Sequence, residues 1–219
     1  MIVAGIVIGG ILVAWLAYAS WIATSQQITF HQGFIHAPLA LLRRVDSRAL
    51  RGAPGNNRVI YVVSHQSALD PALMLALLPD DTLHILDGRS ATSVWLEPWR
   101  ELARTIAFKP EHVFVSRRLV RVLRGGGRLC VYMPPEASPD TRDFRLYRAV
   151  ARIALRADAR VVPIHVAGNH ASWFGKLTIR ALKPATIQEL VERTSGNTSS
   201  GVLYERVAEA RAAHEKKAA

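Results

Sequence analysis

Two side chains stand out for their chemistry and spacing. His65 follows an apolar, β-branched run, VIYVVS, and Asp70 comes five residues later, directly before the Pro-led apolar segment PALMLALL. A neutral imidazole held by a carboxylate is a standard means of making a weak hydroxyl nucleophilic near neutral pH. The ring takes the proton and the acid orients it. Plainer roles compete. Asp is a favoured helix N-cap and Pro a favoured first helical residue, so Asp70-Pro71 would serve as a helix start without any catalysis. A His at a strand end serves equally well as a hydrogen-bonded edge residue. A second carboxylate, Glu136, lies in PPEASPDTRDF just after the apolar run LCVYM. An acid in such a Pro-rich turn is commonly only solvated.

The elements around these residues decide what they can do together. Val59 to Val63 reads as a buried strand, and the Ala/Leu/Met segment after Asp70-Pro71 reads as a helix. His65 and Asp70 then share a strand-to-helix turn at the carboxyl edge of a sheet, where ligands collect in open α/β folds. Further strands are expected at 83–86, 105–108, 128–133, 160–166 and 177–182, with helices near 72–78, 93–103, 115–124, 144–156 (Asp143 its cap) and 203–217. This alternation predicts an α/β fold: a mostly parallel sheet flanked by helices, with an N-terminal membrane helix. Glu136, at the end of the 128–133 strand, falls on the same sheet edge as His65. The α/β domain is expected over 53–193, and the polar stretch TSGNTSSG opens a linker and C-terminal helix over 194–219. Gly125 to Gly127 follow a helix and precede a strand, the wrong order for a phosphate loop.

The amino terminus carries no charge from Ile2 to Thr24, and the first charged side chain is Arg43. As a helix this stretch would span about 34 Å, enough for a hydrocarbon core of about 30 Å. Trp15, Tyr18 and Trp21 gather toward its carboxyl end, as in an aromatic belt. AYAS (17–20) offers a cleavage-like pattern, but no Lys or Arg precedes the run, which is also long for a signal core. The expectation is an anchor over 1–25, followed by an amphipathic, basic, membrane-proximal segment over 26–52. Arg43, Arg44, Arg48, Arg51 and Arg58 then place the remainder on the cytoplasmic side.

With 28 Lys and Arg against 17 Asp and Glu, the net charge is +11. Beside an apolar anchor this charge suits anionic headgroups and phosphate-bearing substrates. No nucleic-acid-binding motif accompanies it, so nucleic acid is not expected as a partner. Cys130 is the only cysteine, which excludes an intramolecular disulfide and a cysteine-rich metal site. On the helix from Val115 to Arg124, Arg117, Arg118, Arg121 and Arg124 oppose Val115, Leu119 and Val122. Such a face is either solvated or a contact for anionic headgroups or an acidic carrier protein. His84 and His165 lie in strand patterns as core or edge residues. Trp95 and Trp99 suit packing or membrane contact, and His170 and Trp173 sit in a loop after a strand.

Taken together, H-x-S-x-x-D after one strand, P-E after a later strand, and V-V-P-I beyond the next helix resemble the glycerolipid acyltransferase superfamily. The texture is closest to acylglycerophosphoethanolamine acyltransferase domains, over roughly Val59 to Lys183. Ser64, His65, Ser67 and Asp70 match its first motif, Pro134 to Ala137 its Phe-Pro-Glu-Gly motif, and Val162-Pro163 its valine-proline strand. Ser64 stands where Asn is usual, Ala137 where Gly is usual, and the basic second motif is only loosely present as IAFKP. The resemblance implies an acyltransferase of the lysophosphatidate or lysophospholipid type, with His65 and Asp70 catalytic. Ser67, Lys109, Pro135, Glu136 and Arg142 would bind the acceptor. It implies no metal and no cofactor, only acyl-CoA or acyl-carrier protein as donor and membrane lipids as partners. The alternative, motivated by the altered third motif, is a catalytically weak or inactive protein of the same fold serving as a lipid-binding adaptor. A lipid hydrolase is disfavoured, because no G-x-S-x-G elbow is present.

Overall fold

The computed structural model of the chain describes residues 2–26, 30, 33–34, 50, 58–64, 67, 70–79, 81–86, 105–107, 113–133, 144–168, 177–194 and 198–218. Helix α1 (Ile2–Gln26) comes first. The domain then runs β1 (Val59–Ser64), α2 (Asp70–Leu77), β2 (Thr82–Leu86), β3 (Thr105–Ala107), α3 (Val113–Arg124), β4 (Arg128–Met133) and α4 (Phe144–Ala157). It ends with β5 (Arg160–Gly168), β6 (Leu177–Ala181), β7 (Ala185–Thr186), α5 (Ile187–Arg193) and α6 (Ser199–Ala218). The expected helix at 93–103 lies outside the described residues.

The strands form one sheet in the order β3-β2-β4-β1-β5-β6, with β7 also pairing β5. β1 to β5 are mutually parallel, and β6 and β7 run antiparallel to β5 along its outer side. Pro163 sits inside β5 and its carbonyl accepts from the Leu182 N–H at 3.0 Å. The N–H and C=O of one strand residue face the same side. The donor that Pro163 lacks would therefore have faced 182–184, where the edge pairing is already interrupted between β6 and β7.

β1 is buried along its whole length, so its residues alternate between two cores. Ile60 and Val62 join the cluster built with α3, α4, α5 and α6, whereas Val59, Tyr61 and Val63 pack with α2. One face of the sheet is thus thickly covered and the other carries α2.

The helices stop and start for local reasons. α3 ends in a Schellman motif: the Gly127 N–H donates to the Val122 carbonyl, the Gly126 N–H to that of Leu123, and Gly126 has φ 87°. The side chain of Arg124 donates to the Arg156 carbonyl at 2.7 Å, tying α3 to the end of α4. α5 was not expected from periodicity, being only seven residues long, yet it opens on a capping box between Thr186 and Glu189. α6 begins four residues before the expected 203. The Gly201 N–H donates to Thr198 Oγ1 at 3.2 Å and the Val202 N–H to the Thr198 carbonyl at 2.9 Å, so part of the polar stretch read as linker is helical. Val202, Leu203, Val207 and Ala210 of α6 are buried, and Tyr204 meets the rings of Phe144 and Tyr147 edge-on.

In α1, Gly5–Thr24 is long and apolar enough to cross a membrane, with mean hydropathy 2.0. Ile6, Ile8, Ile11, Leu12 and Val13 are exposed on it, while Ala19 and Ile22 are buried. A second segment packs there. The Phe34 ring lies 5.6 Å from that of Trp15, and a Cβ on Gly33 would fall 2.6 Å from the Ala19 carbonyl oxygen, so only Gly permits the approach.

Replacing Gly126 with Ala forces a Cβ into the left-handed region and is expected to cost about 1–2 kcal/mol. Denaturant unfolding of the detergent-solubilised chain should show a lower midpoint with an unchanged slope. An unshifted midpoint would mean that α3 ends in some other way.

Candidate active site

In a parallel sheet every strand delivers its carboxyl end to the same rim. The crevice at that rim opens where neighbouring strands send their connections in opposite directions. Here that point lies between β1 and β4, which pair in register up to Ser64 opposite Met133. From β1 the chain crosses β4 to reach β2, with α2 on one face. From β4 it crosses β1 to reach β5, with α4 on the other face.

Asp70 stands at this switch point. It is 1% exposed and opens α2. Burying a carboxylate is costly unless hydrogen bonds replace its lost water. One replacement is the backbone N–H of Ser67, which donates to Asp70 Oδ2 at 2.9 Å, while the Asp70 N–H donates back to the Ser67 carbonyl at 2.9 Å. This pair is the reciprocal half of a capping box, in which the side chain three residues in reaches back to the entering backbone. Asp70 therefore does not stand outside the helix as its cap, as Asp-Pro suggested. It lies in the first helical turn, and Ser67 holds it.

His65 follows Ser64 directly and lies outside the described residues, as do Lys109, Pro135, Glu136 and Arg142. What the structure places is the pair of strand ends from which His65 and Pro135-Glu136 depart, and these are adjacent in the sheet. Ser64 itself shares the row Met133–Ser64–His165. By the alternation along β1, its side chain takes the face covered by α4, opposite α2. It is fully buried, and its hydroxyl has no hydrogen-bond partner among the described residues. His165 is buried in the same row.

Beneath Asp70, on the α2 face, is a polar layer that sequence reasoning did not connect. His84 Nδ1 and the Tyr132 hydroxyl are 2.9 Å apart, and both residues are buried. Burial pushes the His84 pKa down to about 3, so the ring is neutral. Burial, above all, raises Tyr132 well above the usual phenol value, with Cys130 and the Asp70 carboxylate acting in the same direction. The same burial pushes Cys130 up to about 12, which makes it an unreactive thiol. The signal available in sequence was positional: His84 in TLHIL and Tyr132 in LCVYM fall on one face once β2 and β4 pair with His84 opposite Cys130.

The topology also adds cations that the sequence reading had not placed at the rim. α3 connects β3 to the far end of β4, so it starts at the rim, and the exposed Arg117 and Arg118 lie in its first turns. Among the described residues, no cluster of three His, Cys, Asp or Glu is placed to hold a metal ion.

The model of one family, Acyltransferase, matches residues 44–167, more than half of the chain. The chain belongs to the acyltransferase family. The matched stretch contains β1 to β4 and nearly all of β5, hence the switch point and both strand ends. In fold the chain resembles the crystal structure of the 1-acyl-sn-glycerophosphate (LPA) acyltransferase PlsC from Thermotoga maritima. That match covers 94% of this chain and 96% of that one at 17% identity, with a TM-score of 0.53.

The neutral, buried His84 gives this acyltransferase a pH signature. An unfolded His binds a proton below about pH 6.5, whereas His84 in the folded chain does so only near 3. The unfolded state therefore gains protons as pH falls through this window, and stability should drop by up to about 1.4 kcal/mol per pH unit. Substituting His84→Gln should flatten that slope by about one proton, read from unfolding midpoints at about pH 7 and about pH 5. An identical slope in the variant would remove His84 as its source.

Proposed function

We propose that this acyltransferase is membrane-tethered and moves a fatty acyl group from an acyl thioester to the hydroxyl of a glycerolipid, lysophosphatidate or another lysophospholipid. The observation that carries the reading is the buried Asp70 carboxylate, fixed by the Ser67 N–H at the switch point and five residues beyond His65. In this mechanism the His65 imidazole takes the proton from the acceptor hydroxyl as its oxygen attacks the thioester carbonyl. The carbon–sulfur bond breaks, and the thiolate leaves with the proton that the imidazolium returns. Asp70 orients the ring and stabilises its charged form, which a buried and hydrogen-bonded acid does better than a solvated one. Glu136, with Lys109, Arg142 and the motif residues Ser67 and Pro135, forms the acceptor side. A guanidinium suits the headgroup phosphate, and a carboxylate suits a glycerol hydroxyl.

The exposed apolar surface of α1 supports the tether, and the arginines from Arg43 to Arg58 support a cytoplasmic domain. The donor is acyl-CoA or an acyl-carrier protein, and both are acidic.

Purified protein given radiolabelled acyl thioester and a panel of lysophospholipids should form diacyl product. His65→Ala should lower the rate by about 10²- to 10⁴-fold, and Asp70→Asn should lower it without loss of fold by circular dichroism. Equal product from wild type and His65→Ala would end the assignment. Vesicle binding without turnover on any acceptor would instead favour the adaptor reading, which the substitution of Ala137 for the family's Gly motivates.

A further inference from the structure

α3 and α4 lie side by side on the thickly covered face of the sheet, about 8–10 Å apart as packed helices are. Each carries four exposed arginines, and neither carries an acidic residue. Eight positive charges of a chain whose net charge is +11 therefore fall on two helices. The neighbouring α6 is different: its Glu and Arg residues alternate and Arg206 pairs with Glu209. The one-signed charge is thus local to α3 and α4, and the spacing is regular. Arg117, Arg121 and Arg124 follow one row, and Arg148, Arg152 and Arg156 follow another. Both rows begin about one turn in from the rim and run down the helices for about 10–12 Å.

We infer that this face docks an acidic protein, namely a carrier that presents the acyl group on a thioester arm; this rests on the acyl-transfer reading above. Three observations favour a protein over a bilayer as the occupant. Among the described side chains of α3 and α4, Leu119, Leu123, Val150 and Ile153 are buried in the core, and Leu155 is the one large apolar side chain exposed between the arginines, too little to insert in a bilayer. The chain already exposes an apolar surface for lipid on α1. A lipid acceptor must enter at the rim, so a donor has to stand beside it, and the arginine rows begin about one turn from there. Two parallel rows of guanidiniums at helical spacing match carboxylates repeated along an acidic helix, and they steer its approach.

The test uses the full chain in detergent and vesicles, with the triple variant Arg121→Glu, Arg148→Glu and Arg152→Glu, which spares Arg117, Arg118 and the helix-tying Arg124. Two donors carrying the same acyl chain are compared: acyl-CoA and an acyl-carrier protein. At low salt the variant should raise KM for the carrier-borne donor by about tenfold or more. Added salt should do the same to the wild type, with kcat and the KM for acyl-CoA unchanged in the variant. Direct binding of the fluorescently labelled carrier should weaken in parallel. The proposal is overturned if KM for both donors shifts together or neither shifts, or if labelled carrier binds both proteins equally. It is also overturned if only the preference for anionic over neutral vesicles changes, which would make a bilayer the occupant. Absence of turnover with either donor in the wild type would count against the enzymatic reading, and the labelled-carrier measurement would still decide the docking face.

Discussion

The structure turns on one buried charge. A carboxylate in a nearly water-free position is stable only if donors are aimed at it before it arrives. Here the donor is the backbone of Ser67, fixed because the chain has just left a central strand bonded on both sides, to β4 and to β5. Position therefore comes from the most rigid part of the molecule. Ser64 belongs to the sheet and Asp70 to α2, so both ends of the connection are anchored. The proton-transfer pair proposed above would need such anchoring, since misplacement of about 1 Å is costly in rate.

The two faces of the sheet divide the remaining work. Among the described residues, the face under α2 carries that one helix and holds the polar layer of Asp70, His84, Tyr132 and Cys130. Burial keeps the last three neutral. A neutral phenol and imidazole satisfy each other there. The other face carries four helices and most of the apolar mass, including Leu119, Leu123, Tyr147 and Leu203. The two cores thus lie on opposite sides of the same strands, and β1 belongs to both.

Much of this was legible in the sequence. Continuous β-branched runs such as VIYVVS can only be strands buried on both faces, and the six expected in the domain are all present. The site region was legible because Asp70-Pro71 marks a helix start so sharply. The role of Ser67 was not, since a backbone donor leaves no trace in residue type. α5 and the first turn of α6 were missed because short helices are set by caps, Thr186-Glu189 and Thr198, and not by a period of apolar residues. The partnership of His84 with Tyr132 depends on strand order β2-β4-β1, which no local pattern encodes. Lys109 matches the family's basic second motif only through IAFKP and lies outside the described residues, whereas Arg117 and Arg118 come to the rim through the direction in which α3 must run.

An arginine-only surface raises the question of why the domain tolerates it. The repulsion is borne where it is cheapest, on helix faces turned to water, where like charges several ångströms apart cost little and ions screen them within about 8–10 Å. The opposite faces of the same helices are locked in by Leu119, Leu123, Val150 and Ile153. Arg124 spends part of its charge on the Arg156 carbonyl, where a cation also meets the negative end of the α4 dipole. The field is therefore held by a scaffold stiff enough to keep its spacing. In the docking proposed above, a stiff, one-signed array presents a shape of charge and not merely its amount, unlike the diffuse attraction any basic protein feels near an anionic surface.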